Sequence, residues 1–219
     1  MVFKKLFMFI FYFLFELKIL KLYQKSNSMK EILEKGSPFI GEKIQLRALE
    51  KSDLEEIMKN WNTYETRLFL GNIIPMSSMM EEDWINSVHQ RRKNMKAFIF
   101  AIDDKETKKF LGTCGLEDIY WTSRSAVLGI AIHNPENTDK GYGTDTMKCL
   151  LKFGFNVLNL NRIELWLMEY NKRALHVYEK VGFKEVGRKR QGHFIQGSYH
   201  DIIVMDIIKS EFSELYNKK

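Results

Sequence analysis

The chain has 219 residues, 45% of them hydrophobic and 28% charged, with no low-complexity tract, which suffices for one packed domain with an appendage. Its two cysteines, Cys114 and Cys149, lie far apart and outside metal-ligand spacing, which excludes a disulfide scaffold and a zinc site of familiar type. The net charge of +6 does not argue for nucleic acid, because residues 1–28 hold five lysines against one acid and leave only +2 for the remainder.

Residues 1–28 open with two lysines and then ten uninterrupted apolar residues, 6–15. That run is shorter than the roughly 20 residues a membrane span takes, and no small-x-small cleavage site follows it. Three readings stand: a gene-model extension ahead of Met29, an interfacial anchor with Lys18 and Lys21 beside Leu17, Leu20 and Leu22, or an export signal. The expectation is an appendage over 1–28 and a domain over 29–219, placed in the cytoplasm, with peripheral membrane contact under the anchor reading.

From Met29 the pattern is that of a mixed α/β chain. "EKIQLRAL" alternates and predicts a strand ending near Leu49. "SDLEEIMKNW" predicts a helix with Ser52 or Asp53 as N-cap and Glu55 and Glu56 in the first turn. A second helix is predicted over 75–94, with Met80, Trp84, Ile85 and Val88 on its apolar face. "AFIFAID", "KKFLGTCGLEDIYW" and "SAVLGIAIH" are three strands whose short connections favour antiparallel pairing. The next helix begins at "KGYGTDTM", with Met147, Leu150, Leu151, Gly154 and Leu158 along one face. A strand ("RIELWLM"), a short helix closed by Gly182 ("NKRALHVYEKVG") and a closing β pair complete the order βααβββαβαββ.

The Gly141-Tyr142-Gly143 turn between a strand and a helix is a candidate phosphate cradle. It does not match G-x-x-x-x-G-K-[S/T]. As a dinucleotide fingerprint it fails at the third glycine, where Thr146 stands, and it follows antiparallel strands rather than opening a parallel sheet. Two readings remain: an anion nest made by the N–H groups of Lys140 to Thr144 at a helix start, or a purely structural tight turn.

The motifs "KGYGTDTM", "NKRALHVYEKVGF" and "GSYHDIIVMDII", in this order and spacing, resemble the GNAT superfamily of acetyl-CoA-dependent N-acetyltransferases. The resemblance covers roughly residues 38–208, and within the superfamily it is to the branch of ribosomal-protein N-terminal and spermidine acetyltransferases. It implies the GNAT fold, a mixed and mostly antiparallel central sheet flanked by helices, and it assigns the turn to the pyrophosphate of coenzyme A. The family pattern [Q/R]-x-x-G-x-[G/A] reads Thr138 to Gly143 here, so its first position departs from the pattern. The resemblance further implies that backbone groups of Ile130, Ala131 and Ile132 hold the thioester arm, that Lys140, Gly141, Tyr142, Gly143 and Thr144 hold the phosphates, and that Asn171 contacts the cofactor arm. It places Tyr178 as general acid, and it calls for no metal.

Acyl transfer from a thioester to an amine needs a neutral amine, a stabilised oxyanion and a proton for the leaving thiolate. A phenol near pKa 10 lies only about 1.5 units from a thiol near 8.5, so Tyr178 suits the last task. Tyr178 also fits an ordinary packed aromatic, since Leu175 and Val181 flank it at i−3 and i+3, and Asn171 also fits an ordinary N-cap. The position matching the carboxylate that some members carry on the fifth strand is Trp166; Glu117, Asp118, His133 or a water chain are the substitutes, and none is assigned.

The partners implied are acetyl-CoA and an amine acceptor, with a homodimer left open. The segment 62–76 is apolar and aromatic with Glu65 as its one acid, and the acids Glu81, Glu82 and Asp83 are explained by a helix start. The sequence therefore leans to a protein or peptide N-terminal amine over spermidine or another small amine. A non-catalytic acetyl-CoA sensor is the alternative of another class; Thr138 and the missing carboxylate favour it, while Tyr178 and Asn171 oppose it.

Overall fold

A computed structural model describes residues 36–216, and from Pro38 onward the chain forms one compact unit. The appendage expected over 1–28 lies outside the described residues. Among the described residues no helix is long and apolar enough to cross a membrane.

The elements in chain order are β1 (Ile44–Ala48), α1 (Leu54–Trp61), α2 (Tyr64–Phe69), α3 (Ser78–Lys93), β2 (Phe98–Asp104), β3 (Phe110–Tyr120), β4 (Ser125–Ile132), α4 (Tyr142–Lys152), β5 (Arg162–Met168), α5 (Lys172–Lys180), β6 (Lys184–Ile195), β7 (Ser198–Ile208) and α6 (Lys209–Tyr216). The predicted order therefore holds with two additions, α2 and α6. Six and eight residues are too short for a helical period to show, and α2 is set instead by Thr63, whose hydroxyl accepts from the Thr66 N–H.

Seven strands make one sheet in the order β1-β2-β3-β4-β5-β7-β6. The last strand thus inserts between β5 and β6. Its alternate residues Ile203, Met205 and Ile207 are buried, whereas β6 is exposed along nearly all its length and carries Lys184, Arg188, Lys189 and Arg190. A charged strand suits an edge and an apolar one the interior.

The continuous apolar run of β2 is explained by cover on both faces. Phe98, Phe100 and Ile102 join the main core with Met147, Leu150 and Leu151 of α4, while Ile99 packs with Val88 of α3 in a second cluster. Met80 does not take part. It is 53% exposed, because α3 starts one residue after the Ser77 cap and turns only Glu81, Ile85 and Val88 fully inward. Of the two expected caps, Asp53 stands at the N-cap of α1 but its side chain makes no capping bond: both its oxygens accept from the Arg47 guanidinium at 2.7 and 2.8 Å, and the chain enters α1 through a short 3-10 turn over Lys51–Asp53.

The α4 face is as predicted at Met147, Leu150, Leu151 and Gly154, all buried, but regular α geometry ends at Lys152. A π-turn over Phe153–Val157 follows, and Leu158 is only partly buried. At Gly154 a Cβ would stand 2.6 Å from Ile163 Cδ1 of β5, so a larger residue there would make that side chain shift.

Candidate functional site

All neighbouring strands pair antiparallel except β4 and β5, which run parallel and stay together only from Ser125–Arg162 to Val127–Glu164. Beyond Val127 they part. The His133 N–H donates to the Leu111 carbonyl at 2.9 Å, and this fixes the ladder's alternation. Gly129 and Ala131, opposite Gly115 and Thr113, spend their peptide groups on β3. The N–H and C=O groups of Ile130 and Ile132 are left directed to the side that β5 has vacated. An extended molecule with amide groups can take the place of the missing strand there.

The chain leaves β4 and reaches α4 through a turn with Asp139 at φ 60° and Gly141 at φ 85°. Gly141 is the N-cap in the left-handed region, where L side chains are strained, and no side chain caps the helix. By contrast Thr63, Ser77 and Asn171 each cap α2, α3 and α5 with a side-chain oxygen. The Gly141 carbonyl accepts from the Asp145 N–H at 3.1 Å, so the N–H groups of Tyr142, Gly143 and Thr144 are first-turn donors with no helical acceptor. Around Gly143 a Cβ would meet nothing within 4 Å. Helix dipole, orphan donors and open space together suit an anion.

The gap and the turn open into one cavity of about 710 Å³. Its lining includes Ile130, Ala131, Ile132, Gly141, Tyr142, Gly143, Thr144, Asn171 and Tyr178. Two of the expected residues are placed apart from the rest. Lys140 is outside the lining: its carbonyl accepts from the Lys43 ammonium at 2.7 Å, and its own ammonium sits 3.5 Å from Asn137 Oδ1. Ala131 lines the cavity, but its peptide belongs to the β3 ladder and is not directed into the gap. The Tyr142 side chain is tied back by a 2.6 Å hydrogen bond from its hydroxyl to Asp104.

Tyr178 lies on α5 at the cavity wall, and burial pushes its phenol up to about 12. It therefore stays protonated at every working pH. The gap to a thiol near 8.5 is about 3.5 units, wider than the reference value of a phenol implies. Asn171 does cap α5, its Oδ1 accepting from the Ala174 N–H at 3.1 Å, and it borders the cavity as well.

The substitutes for a fifth-strand carboxylate separate in space. Trp166, 51% exposed, lines the cavity from β5. Glu117 and Asp118 line it from β3, where a register shift between Glu117 and Tyr120 and a φ of 46° at Asp118 re-aim the strand's end. Glu117 pairs with Arg91 of α3, and its Oε1 comes within 3.7 Å of where a Cβ on Gly129 would stand, so the carboxylate reaches over β4. His133 is buried rather than exposed in a loop. It stacks on Trp61 at 4.7 Å, its Nε2 lies 3.2 Å from Thr113 Oγ1, and burial lowers it to about 4. It is neutral at pH 7 and does not reach the cavity.

Sequence reasoning passed over Trp61, gave Trp84 only to the apolar face of its helix and treated Glu65 as solitary; all three line the same cavity. It explained Glu81 by the helix start alone; Glu81 is in fact 3% exposed, and burial raises its carboxyl. Asp145 was missed altogether. Its carboxylate accepts from the Lys43 and Ile44 N–H groups at 2.7 and 3.2 Å, joining β1 to the start of α4. No local signal separates it from an ordinary first-turn acid. Among the described residues there is no cluster of His, Cys, Asp or Glu able to hold a metal ion.

Residues 43–184 match the family described as acetyltransferase (GNAT) domain. A spermidine N(1)-acetyltransferase of Vibrio cholerae is 32% identical over 171 residues, covering 77% of this chain and 95% of the relative. The crystal structure of a Vibrio cholerae spermidine N-acetyltransferase in complex with CoA and spermine is 30% identical with a TM-score of 0.70, over 78% of this chain and 98% of that one. A putative ribosomal N-acetyltransferase of Bacillus subtilis is 30% identical, over 46% of this chain and 55% of the relative.

Proposed function

The chain belongs to the GNAT acetyltransferases and uses acetyl-CoA, and we propose that the amine it acetylates is a small polyamine of the spermidine class. The observation that carries this reading is the gathering of Glu65, Glu117 and Asp118 from two separate elements in one cavity walled by Trp61, Trp84 and Trp166. Carboxylates and aromatic faces are what an ammonium chain needs, by charge and by cation–π attraction. A peptide N-terminus carries one charge, whereas Glu65, Asp118 and the Glu117 oxygen that Arg91 does not hold offer acceptors to more than one ammonium. The full-length similarity to spermidine acetyltransferases supports the same choice, while the similarity to the putative ribosomal enzyme spans little more than half of that protein. The lean of the sequence towards a peptide acceptor came from counting the acids of segment 62–76 and assigning Glu81, Glu82 and Asp83 to a helix start, without Glu117 and Asp118.

Within this proposal the backbone of Ile130 and Ile132 holds the pantetheine arm, the N–H groups of Gly141 to Thr144 hold the pyrophosphate, and Asn171 borders the arm. The bound thioester supplies an acetyl group already activated for transfer. Glu117, over β4, holds the polyamine with its terminal amine next to the acetyl position, and that amine attacks in its neutral form after giving its proton to solvent water. Tyr178 keeps a proton at Oη for the departing sulfur, and so high a pKa means that the proton moves only as the thiolate loses its own solvation. A sensor would bind acetyl-CoA without turnover, and turnover is what the test reads.

Coenzyme A release would be followed with acetyl-CoA against spermidine, spermine and peptides with free N-termini. Polyamine-dependent release is expected, with Glu117→Gln raising the polyamine KM about tenfold and leaving that for acetyl-CoA unchanged. Release with peptides and none with polyamines would overturn the acceptor. Tight acetyl-CoA binding without turnover on any amine would leave the sensor.

A further inference from the structure

Around the phosphate turn, the side chains that precede Gly141 supply no cation to the cavity. The Thr138 hydroxyl donates to the Pro135 carbonyl at 2.7 Å, Asp139 is an acid, and Lys140 leans to Asn137 outside the lining. A cation at the rim of the turn, itself outside the cavity lining as Lys140 is, comes from almost a hundred residues away. Lys43, just before β1, donates from Nζ to the Lys140 carbonyl at 2.7 Å, and its ammonium stands 3.5 Å from where a Cβ on Gly141 would be.

This lysine is not loosely placed. Its N–H donates to Asp145 of α4 at 2.7 Å, and its carbonyl accepts from the Lys105 N–H at 2.8 Å. The preceding turn is closed by the Gly41 N–H to the Ile44 carbonyl at 2.9 Å and by the Lys105 ammonium to the Gly41 carbonyl at 3.0 Å. Both peptide groups of Lys43 are thus pinned, and one of its three ammonium donors is spent on the rim of the turn. The other two, and the charge, remain beside the uncapped start of α4.

We infer that Lys43 is a coenzyme-binding residue that clamps the pyrophosphate against the Gly141–Thr144 amides, doing from β1 what no side chain of the turn does. The inference rests on the pyrophosphate reading of the turn proposed above. A diphosphate accepting those amides comes within reach of a pre-positioned ammonium, and a charge-assisted bond costs little ordering when the donor is already held.

Binding of CoA, 3′-dephospho-CoA and pantetheine to the full chain separates the cases, with Lys43→Met and Lys43→Arg beside the wild type. The expected result is a loss of about five- to twentyfold for CoA and dephospho-CoA alike in Lys43→Met, with no change for pantetheine. A shallower salt dependence and recovery in Lys43→Arg should accompany it. Loss for CoA but not for dephospho-CoA would move the contact to the 3′-phosphate and overturn the assignment. An unchanged Lys43→Met, or one that weakens pantetheine equally and lowers the thermal midpoint, would also overturn it, the second by making the lysine a support of the turn. Wild type that binds none of the three would sink the turn reading together with this one.

Discussion

Asp145→Ala tests whether the start of α4 and β1 are one mechanical unit. The Asp145 carboxylate is 8% exposed and is the acceptor for two N–H groups, Lys43 at 2.7 Å and Ile44 at 3.2 Å. Ile44 is fully buried, so its orphaned N–H costs the whole desolvation penalty, about 1–3 kcal/mol. Lys43 is exposed and water reaches it, so its share is smaller, and the sum comes to about 2–4 kcal/mol. For a unit of this size that is a fall of about 5–15 °C in Tm. Asp145→Asn keeps an acceptor oxygen and should lose about half as much. A second substitution sharpens the argument, because a Cβ on Gly41 would overlap the Asp145 carboxylate. Gly41→Ala should therefore destabilise the wild type but cost less in the Asp145→Ala background, a coupling of at least about 1 kcal/mol in a urea-denaturation cycle. Additive effects in that cycle, or a loss below about 1 kcal/mol for Asp145→Ala, would refute the strut.

Tyr178→Phe should lower kcat about a hundredfold while leaving the KM for acetyl-CoA within about threefold. Since burial pushes this phenol up to about 12, wild-type kcat should show no alkaline fall below about pH 10, and a fall there would place another group in the role. His133 makes stability depend on acid. Its folded pKa of about 4 lies below the ordinary value near 6.5, so the unfolded chain takes up a proton first as pH drops. The stability is complete above about 6.5 and drains between there and about 4, about 2–3 kcal/mol by pH 4.5. His133→Gln should flatten that part of the urea-midpoint profile, and an equally steep profile in the variant would assign the loss elsewhere.

Much of this protein was legible from its sequence wherever structure is decided within a few residues. The glycine turn at the start of α4, the Asn171 cap, the buried face of Met147, Leu150 and Leu151, and the strands of alternating or continuous apolar residues all follow from local sterics and spacing. So do the antiparallel pairings of β2, β3 and β4, since short turns allow little else. Where partners are far apart in sequence, the pattern is silent. An apolar strand looks the same beside any neighbour, so the insertion of β7 between β5 and β6, and the parting of β4 from β5 after Val127, belong to the whole sheet. Helix periodicity shows which residues can share a face but not where the helix is set down, and so Met80 faces outward and Glu81 inward. The candidate site depends most on such long-range placement. Glu65 looked solitary along the chain and acquires Glu117 and Asp118 only through the fold, while Lys43 meets the Gly141 turn only because Asp145 draws β1 onto α4. Charges gathered in a cavity depend on distances through space, and a sequence records distances along the chain.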